Sequence, residues 1–349
     1  MQVKNWETYR SEFIEEAQRK NVSVRKIELW IQYAQTLYEK NLPVIYNLEH
    51  LSLLLGYKIM YLDRAITSTE NFYRYYRIPK KNSGFREIRE PLPSLKEIQQ
   101  WILQNILYRL ECSPYAKAYK NGSSIKENAR FHKNQSVVLS LDLKDYFPSI
   151  TIEKVIAFFG SLGYTSLVTD YLAKICCLDN CLPQGSPTSP YLSNLITSNI
   201  DSELGKLAQA HNLRYTRYAD DITFSGDFHP GIIIKKVSRI IEDNDLQINH
   251  EKIRAKERHE QQLVTGIIVN NRKLNVPKAK RKELRQHVYY IQKFGLEAHM
   301  IHRKITKRNF LRHLIGLANH ILHINPKDKD VRYYKAYLFD LLNQYSDEI

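Results

Sequence analysis

Cysteine is scarce in this chain. There are four in 349 residues, Cys112, Cys176, Cys177 and Cys181, with no CxxC pair and no histidine at zinc-finger spacing from any of them. That pattern argues against a disulfide framework and a structural zinc site, and leaves free thiols in a reducing cytosol as the expectation. Long apolar runs are missing too, none approaching the ~18 residues that a membrane-spanning helix requires. The first residues, MQVKNWETYRSEF, are charged and contain no apolar core of a secretory signal. The sequence shows no internal repeat and no low-complexity linker, so its elements are expected to pack as one body in the cytoplasm.

Acidic residues fall short of basic ones, 37 Asp and Glu against 52 Lys and Arg, for a net charge of +15. An excess of this size favours a polyanionic partner, because each phosphate neutralised releases a condensed counterion. The excess is localised: residues 252–312 hold seventeen Lys or Arg and four acids, Glu257, Glu260, Glu283 and Glu297. So concentrated a patch suits nucleic acid better than an evenly solvated surface does.

The periodicities predict a mixture of helices and strands. Residues 1–70 read as helices, with Trp6, Phe13 and Ile14, then Ile27, Trp30, Ile31 and Tyr33, at helical spacing among charges. Aromatic and β-branched residues on both sides of Asn82-Ser83-Gly84 predict a hairpin, 73–79 and 85–89, with a basic tip. A helix follows from about Ser94, with Leu95, Ile98, Trp101 and Ile102 on one face. The run VVLSL at 137–141 is a buried strand that ends at Asp142. Helices are expected at 152–174 and at 190–210, the second capped by Ser189 with Pro190 at its first position. Strands 215–218 and 222–224 flank Ala219-Asp220-Asp221, and a helix at 230–244 precedes short strands at 246–248 and 264–269. From Lys278 onward the pattern is helical and basic.

Three of the acids sit where chemistry is possible. Asp142 ends a buried strand, and Asp220-Asp221 lies in a turn between two more strands. Side by side, such strands bring the carboxylates to one edge of a sheet. Two Mg²⁺ ions about 3.5–4 Å apart can activate a hydroxyl and stabilise a leaving pyrophosphate, and they need only a few carboxylate ligands. Each piece alone is more often turn or cap chemistry than a metal site.

Their flanks carry a resemblance. Tyr218-Ala219-Asp220-Asp221 resembles the YxDD box of reverse transcriptases, Leu141-Asp142-Leu143-Lys144-Asp145-Tyr146-Phe147 their first catalytic strand, and Leu182-Pro183-Gln184-Gly185-Ser186-Pro187 the loop lining their nucleotide pocket. The three occur in the family's order, and the likeness spans roughly residues 70–270. It implies an α+β right-hand polymerase. A helical extension at 1–70 would precede fingers and parts of the palm at 71–136 and 152–212. The palm catalytic core would lie at 137–151 and 213–275, and a basic helical thumb at 276–349. It also implies two Mg²⁺ ions at Asp142, Leu143, Asp220 and Asp221, with the three aspartates catalytic and Asp145 a less constrained position, read as a cap. Phe147 resembles the steric gate that excludes ribonucleotides. Gln184 and Gly185 resemble the pair contacting the incoming nucleotide, Gly185 because backbone must come close. Arg86, with Lys80 and Lys81, resembles the triphosphate-binding end of the fingers hairpin. Lys252, in Asn249-His250-Glu251-Lys252, resembles a lysine that protonates departing pyrophosphate.

Two shorter signals are similar to retron enzymes. These are Asn128-Ala129-Arg130-Phe131-His132, an NAxxH pattern, and Val264-Thr265-Gly266, a VTG triplet. The retron resemblance implies a structured non-coding RNA as template and primer, deoxynucleotides as substrates and a short single-stranded DNA product. Priming would come from a guanosine 2′-hydroxyl of the RNA, and an accessory effector protein would act with the enzyme in phage defence. Asn128, His132, Lys278, Lys280, Arg281, Lys282 and Arg285 are the candidate RNA-binding residues. Two alternatives stay open at this point: another defence-associated bacterial reverse transcriptase without a branched RNA, and a non-catalytic RNA-binding module on a polymerase scaffold.

Overall fold

The computed structural model describes residues 5–79, 84–306 and 309–346. The chain opens with four helices, α1 (Trp6–Arg19), α2 (Val24–Glu39), α3 (Leu48–Leu55) and α4 (Ile59–Thr67). A hairpin, β1 (Tyr73–Pro79) and β2 (Phe85–Pro91), leads to α5 (Pro93–Asn105) and α6 (Ile125–Phe131). Strand β3 (Val137–Asp142) precedes α7 (Ile152–Ser161), α8 (Ser166–Cys176), α9 (Ser189–Ile196) and α10 (Ser198–Ala210). Strands β4 (Arg214–Tyr218) and β5 (Asp221–Gly226), helix α11 (Pro230–Asp243) and strand β6 (Arg254–Glu257) come next. Two short strands, β7 (Leu263–Val264) and β8 (Ile267–Ile268), lead to α12 (Lys278–Phe294), α13 (Leu296–His302), α14 (Phe310–Ile324) and α15 (Lys329–Ser346).

Two compact units share this chain. The first comprises Met1–Lys120, Leu143–Leu204 and Ser238–Ile248; the second comprises Asn121–Asp142, Gly205–Val237 and Asn249–Ile349. The chain passes between them five times. No stretch serves as a linker, which is why composition does not announce the division.

The first unit is mostly helical. Leu37, Ile45, Leu51, Leu62, Leu95 and Ile102 are fully buried in it. The N-terminal helices are docked by polar contacts, Lys40 Nζ donating to the Leu162 carbonyl at 2.9 Å and the Tyr164 hydroxyl to the Pro43 carbonyl at 3.0 Å. The expected helix 152–174 is two helices, because Gly163 takes φ 107 and Thr165 then caps α8 through the Val168 N–H. The expected helix 190–210 likewise divides at Thr197.

The second unit is built on a four-stranded antiparallel sheet, order β4-β5-β3-β6. Leu139 faces Phe224 and Leu141 faces Ile222 across β3 and β5, giving a buried and largely apolar face that also takes in Arg217, the partner of Ile222 on β4. Tyr215 stacks on Phe224 with ring centroids 4.9 Å apart. The other face is polar. Ser140, Thr223, Thr216 and Ser225 stand there, and α6 is bonded to it. His132 meets Ser225 Oγ through Nδ1 and Thr216 Oγ1 through Nε2, both at 2.7 Å, while Thr216 Oγ1 donates to Asn128 Oδ1 at 2.6 Å. Asn128 and His132, read from the sequence as RNA-binding, are therefore 1% and 0% exposed, with their polar atoms turned onto the sheet. A side chain so enclosed holds α6 in place and offers no surface to RNA.

The stretch 264–269 is not one strand. Val264 pairs with Ile267 around a two-residue turn in which Thr265 and Gly266 have φ 47 and 77. Two successive left-handed residues reverse the chain in the manner of a type I′ hairpin. Residues 246–248 likewise form no strand; Ile248 makes a single bridge to Leu143. The C-terminal helices bury Leu284, Val288, Leu314, Ala318, Ile321 and Val331 in a core continuous with Ala129 of α6, Val138 of β3 and Val264 and Ile267 of the β7–β8 hairpin.

Removing the imidazole of His132 would leave two hydroxyls without the partner that orders them. His132→Ala is expected to lower the unfolding free energy by roughly 2–4 kcal/mol. Urea titration measures this, and a shift within error of zero would deny the residue its anchoring role.

Candidate active site

The acids come together through strand register. Asp142, the last residue of β3, is the partner of Asp221, the first residue of β5. Tyr218 is Asp221's partner on the other side, so β4 and β5 are joined by the two-residue turn Ala219-Asp220. Ala219 takes φ 59, a left-handed backbone at the first turn position, which matches the twist of the flanking strands. The turn is braced from within: Arg217, fully buried, donates from Nη1 to the Ala219 carbonyl at 3.2 Å. All three aspartates thus sit at one end of the sheet.

Lys252 completes the group. It lies in the short 3₁₀ turn His250–Lys252, and its Nζ donates to Asp142 Oδ1 at 2.7 Å. The Asn249 N–H also donates to the Asp142 carbonyl at 2.8 Å, tying that turn to the end of β3. The bond to Asp142 holds the Lys252 ammonium above its ordinary pKa against desolvation, and the charges of the three aspartates add to it. Asp221 moves in the costly direction. Desolvation first, then the charges of Asp220 and Asp142, push its carboxyl from 3.8 to about 6, with Lys252 opposing. One side of Asp221 still meets solvent.

These features suit a hydrated divalent ion. The donors are hard carboxylate oxygens, and a crowd of like charges is relieved by a cation. Among the described residues no three His, Cys, Asp or Glu side chains are gathered closely enough to cage a metal by themselves. Mg²⁺ retains several waters and needs only one or two carboxylates, so the donor set fits such an ion without a full protein cage.

The residues read as nucleotide contacts belong to the first unit. The Gln184 carbonyl accepts from the Arg89 N–H at 2.8 Å, which seats the 182–190 loop on the root of the β1–β2 hairpin. Gly185 has φ 128, and a Cβ there would lie 2.6 Å from the Arg89 carbonyl oxygen, so only glycine fits. Phe147 is half-buried, its ring 5.5 Å from that of Tyr146 and 6.3 Å from that of Tyr119. Asp145 takes φ 46, and its carbonyl accepts from the Ser149 N–H at 2.9 Å, so its backbone makes a turn. Arg86 is exposed on β2 opposite Ile78, whereas Lys80 and Lys81 lie outside the described residues.

Two positioning residues escaped the sequence reading. Gln99 is fully buried on α5, donating to the Tyr73 hydroxyl and the Ile175 carbonyl, both at 2.8 Å, and accepting from Ser186 Oγ at 2.8 Å. It joins the hairpin, α8 and the nucleotide loop, and its signal was a lone amide among Leu95, Ile98 and Ile102. Arg89 supplies the backbone contact to Gln184 while its guanidinium pairs with Asp179. Charge alternation along β2 did not distinguish it from Arg86.

On α12, Lys278, Lys282 and Arg285 are exposed. Arg281 pairs with Asp328 at 3.1 Å and Asp330 at 2.9 Å, and the half-buried Lys280 meets His320 at 3.4 Å. The basic surface is therefore partly neutralised from α15 and its preceding loop.

A carboxyl whose folded pKa is raised binds its proton more tightly in the folded protein, so stability falls as pH rises from 3.8 through about 6. Asp221→Asn removes that charge. In the metal-free protein it is expected to raise the melting temperature at neutral pH and to match wild type below pH 3.8. A pH-independent difference in calorimetry would contradict the crowding of these charges.

The family model described as Reverse transcriptase (RNA-dependent DNA polymerase) matches residues 78–287. Retron Ec86 reverse transcriptase from Escherichia coli is 36% identical over 266 residues, covering 74% of this chain and 83% of that protein. Retron Mx65 reverse transcriptase from Myxococcus xanthus is 32% identical over 279 residues, covering 74% of this chain and 62% of that protein. Among solved structures, Candida albicans telomerase in complex with a fragment of telomeric RNA superposes with a TM-score of 0.44 at 11% identity, over 80% of this chain and 62% of that one. The family match spans more than half of the chain, and the first relative is matched over most of its own length. The chain belongs to the reverse transcriptases, among their retron members, and is an RNA-directed DNA polymerase with an α+β fold.

Proposed function

We propose that this protein is the polymerase of a retron. It copies part of its cognate non-coding RNA into short single-stranded DNA, starting from a 2′-hydroxyl within that RNA, and acts with an accessory effector protein in defence against phage. The observation that carries the catalytic part is the pairing of Asp142 with Asp221 across adjacent strands, with Asp220 in the turn between β5 and β4. The identities to retron enzymes support the branch.

Asp142, Asp220 and Asp221, with Leu143 beside the first of them, are the positions for two Mg²⁺ ions. Ions held by these residues would supply activation of the priming hydroxyl and stabilisation of charge on the departing pyrophosphate. Lys252 donates to Asp142 Oδ1 and holds that carboxylate in position. Its ammonium is also a proton source for pyrophosphate. Arg86, with Lys80 and Lys81, binds the triphosphate, guanidinium suiting bidentate phosphate contact. Gln184 and Gly185 meet the incoming deoxynucleotide, and the ring of Phe147 excludes a ribose 2′-hydroxyl. The exposed Lys278, Lys282 and Arg285 bind RNA phosphates, with Lys280 and Arg281 contributing charge behind them.

Asp220→Ala combined with Asp221→Ala is expected to abolish Mg²⁺-dependent DNA synthesis, a loss of at least about 10³-fold, while RNA affinity stays within a few-fold. Synthesis measured by nucleotide incorporation at wild-type rate would refute the metal assignment. Phe147→Ala is expected to admit ribonucleotides. Unchanged discrimination between dNTP and rNTP in single-nucleotide extension would take the gate away from Phe147.

A further inference from the structure

The polar face of the sheet floors a pocket of about 620 Å³, large enough for a nucleotide. Asp221 and Tyr218 line one end of it, and Ser140 and Thr223 line its floor. One wall is the start of α6 at Ile125; the other is the β7–β8 turn at Thr265 and Gly266. Thr265 Oγ1 donates to the Ile125 carbonyl at 3.2 Å, joining the two walls. The NAxxH helix and the VTG turn, far apart in sequence, therefore build a single pocket, and the pocket begins at a catalytic carboxylate.

Arg254 also lines it. It stands on β6 as the partner of Ser140, which is in turn the partner of Thr223. Its row is next to the Asp142–Asp221 row on the same face, two residues or about 7 Å along the strands. Two backbone carbonyls hold its Nη1, that of Glu251 at 2.7 Å and that of Ile253 at 2.8 Å. The guanidinium is thus set in place at the pocket, and among the described residues no carboxylate pairs with it. Its neighbour Lys256 is engaged by Glu260. A fixed guanidinium without an acid, one row from a metal-binding edge, suits a phosphodiester.

Resting on the 2′-priming reading above, we propose that this pocket seats the priming ribonucleotide and that Arg254 binds the 3′-phosphodiester through which that nucleotide continues into the RNA. A conventional primer ends at its 3′-hydroxyl and has no phosphate on that carbon. A nucleotide that primes from within a strand always has one, next to the reacting hydroxyl. In the reaction the 2′-oxygen forms a bond to the α-phosphorus of the deoxynucleotide. The bond from that phosphorus to its bridging oxygen breaks, pyrophosphate leaves with the electron pair, and the hydroxyl proton passes to solvent. Arg254 is a positioning residue here, acting on the phosphate beside the nucleophile.

The test compares wild type, Arg254→Ala and Arg254→Lys, each with Mg²⁺ and dNTPs, on three substrates. The first is the cognate RNA, its branch nucleotide identified by sequencing the copurified product. The second is the same RNA ending at that nucleotide in a 2′,3′-diol. The third is a DNA primer annealed to an RNA template. Arg254→Ala is expected to depress initiation on the intact RNA by at least about tenfold more than extension of the DNA primer. Lysine should restore part of that loss, and the difference between alanine variant and wild type should close on the diol. Equal losses on all three substrates, no loss on any, or a loss on the diol as large as on intact RNA would overturn the assignment. A wild-type enzyme that extends the DNA primer but leaves its RNA unbranched would instead remove the 2′-priming reading, and this proposal with it.

Discussion

Three carboxylates held at one end of a sheet repel one another, and the second unit is organised around keeping them there. Unit charges a few ångströms apart interact by a few kcal/mol at the effective dielectric of a protein surface. Desolvation raises the Asp221 carboxyl first, and the charges of Asp220 and Asp142 push it further in the same direction. Backbone supplies the restraint. Asp142 and Asp221 are register partners, so neither can retreat without breaking the β3–β5 ladder. Asp220 is confined by a two-residue turn whose carbonyl is tied to a buried arginine. Lys252 supplies a direct counter-charge to Asp142, and a divalent ion relieves the same repulsion more completely. The metal-free protein is therefore strained electrostatically in the direction that favours metal binding.

The two faces of the sheet divide the remaining labour. Leu139, Leu141, Ile222 and Phe224 bury the apolar face and make the ladder hard to open. The opposite face carries hydroxyls, and its far end is covered by α6 through Asn128 and His132. Polar residues on a buried sheet face are stabilising only when every group is paired. Here the pairing is nearly complete, with Asn128 Nδ2 left over. The end nearer the aspartates is left open between α6 and the β7–β8 turn, so the polar surface that anchors a helix through Thr216 also floors a pocket at Thr223, the strand partner of Thr216.

Much of this was legible in the sequence, and the failures have physical causes. The β1–β2 hairpin, the buried β3 and the turn carrying Asp220 could be read because local signals decide them: β-branched runs, turn residues and a strand ending in an acid. Helix breaks at Gly163 and Thr197 were missed because apolar periodicity continues across them. The hairpin at 263–268 was read as a strand because Thr265 is a poor advertisement for a left-handed turn. Asn128 and His132 are RNA-binding candidates through the resemblance to retron enzymes, which carries no information on burial. Only the sheet shows that Thr216 and Ser225 were waiting for them. Gln99 acts through partners distant in sequence, and no local pattern reports such a partner.

Two of the turns use left-handed backbone where glycine would cost least. Ala219 and Thr265 each hold positive φ, at about 1 kcal/mol or more of strain, and more for the β-branched Thr265. Thr265 recovers some of that through its hydroxyl bond to Ile125, which a glycine could not make. Ala219 has no such side-chain bond, so its value lies in what a Cβ removes. A glycine at that position would widen the range of conformations open to the turn, and Asp220 would wander with it. An acid that must face two like charges at a fixed distance gains from a turn with one accessible shape. Local strain in the backbone is in this way the counterpart of the repulsion it contains.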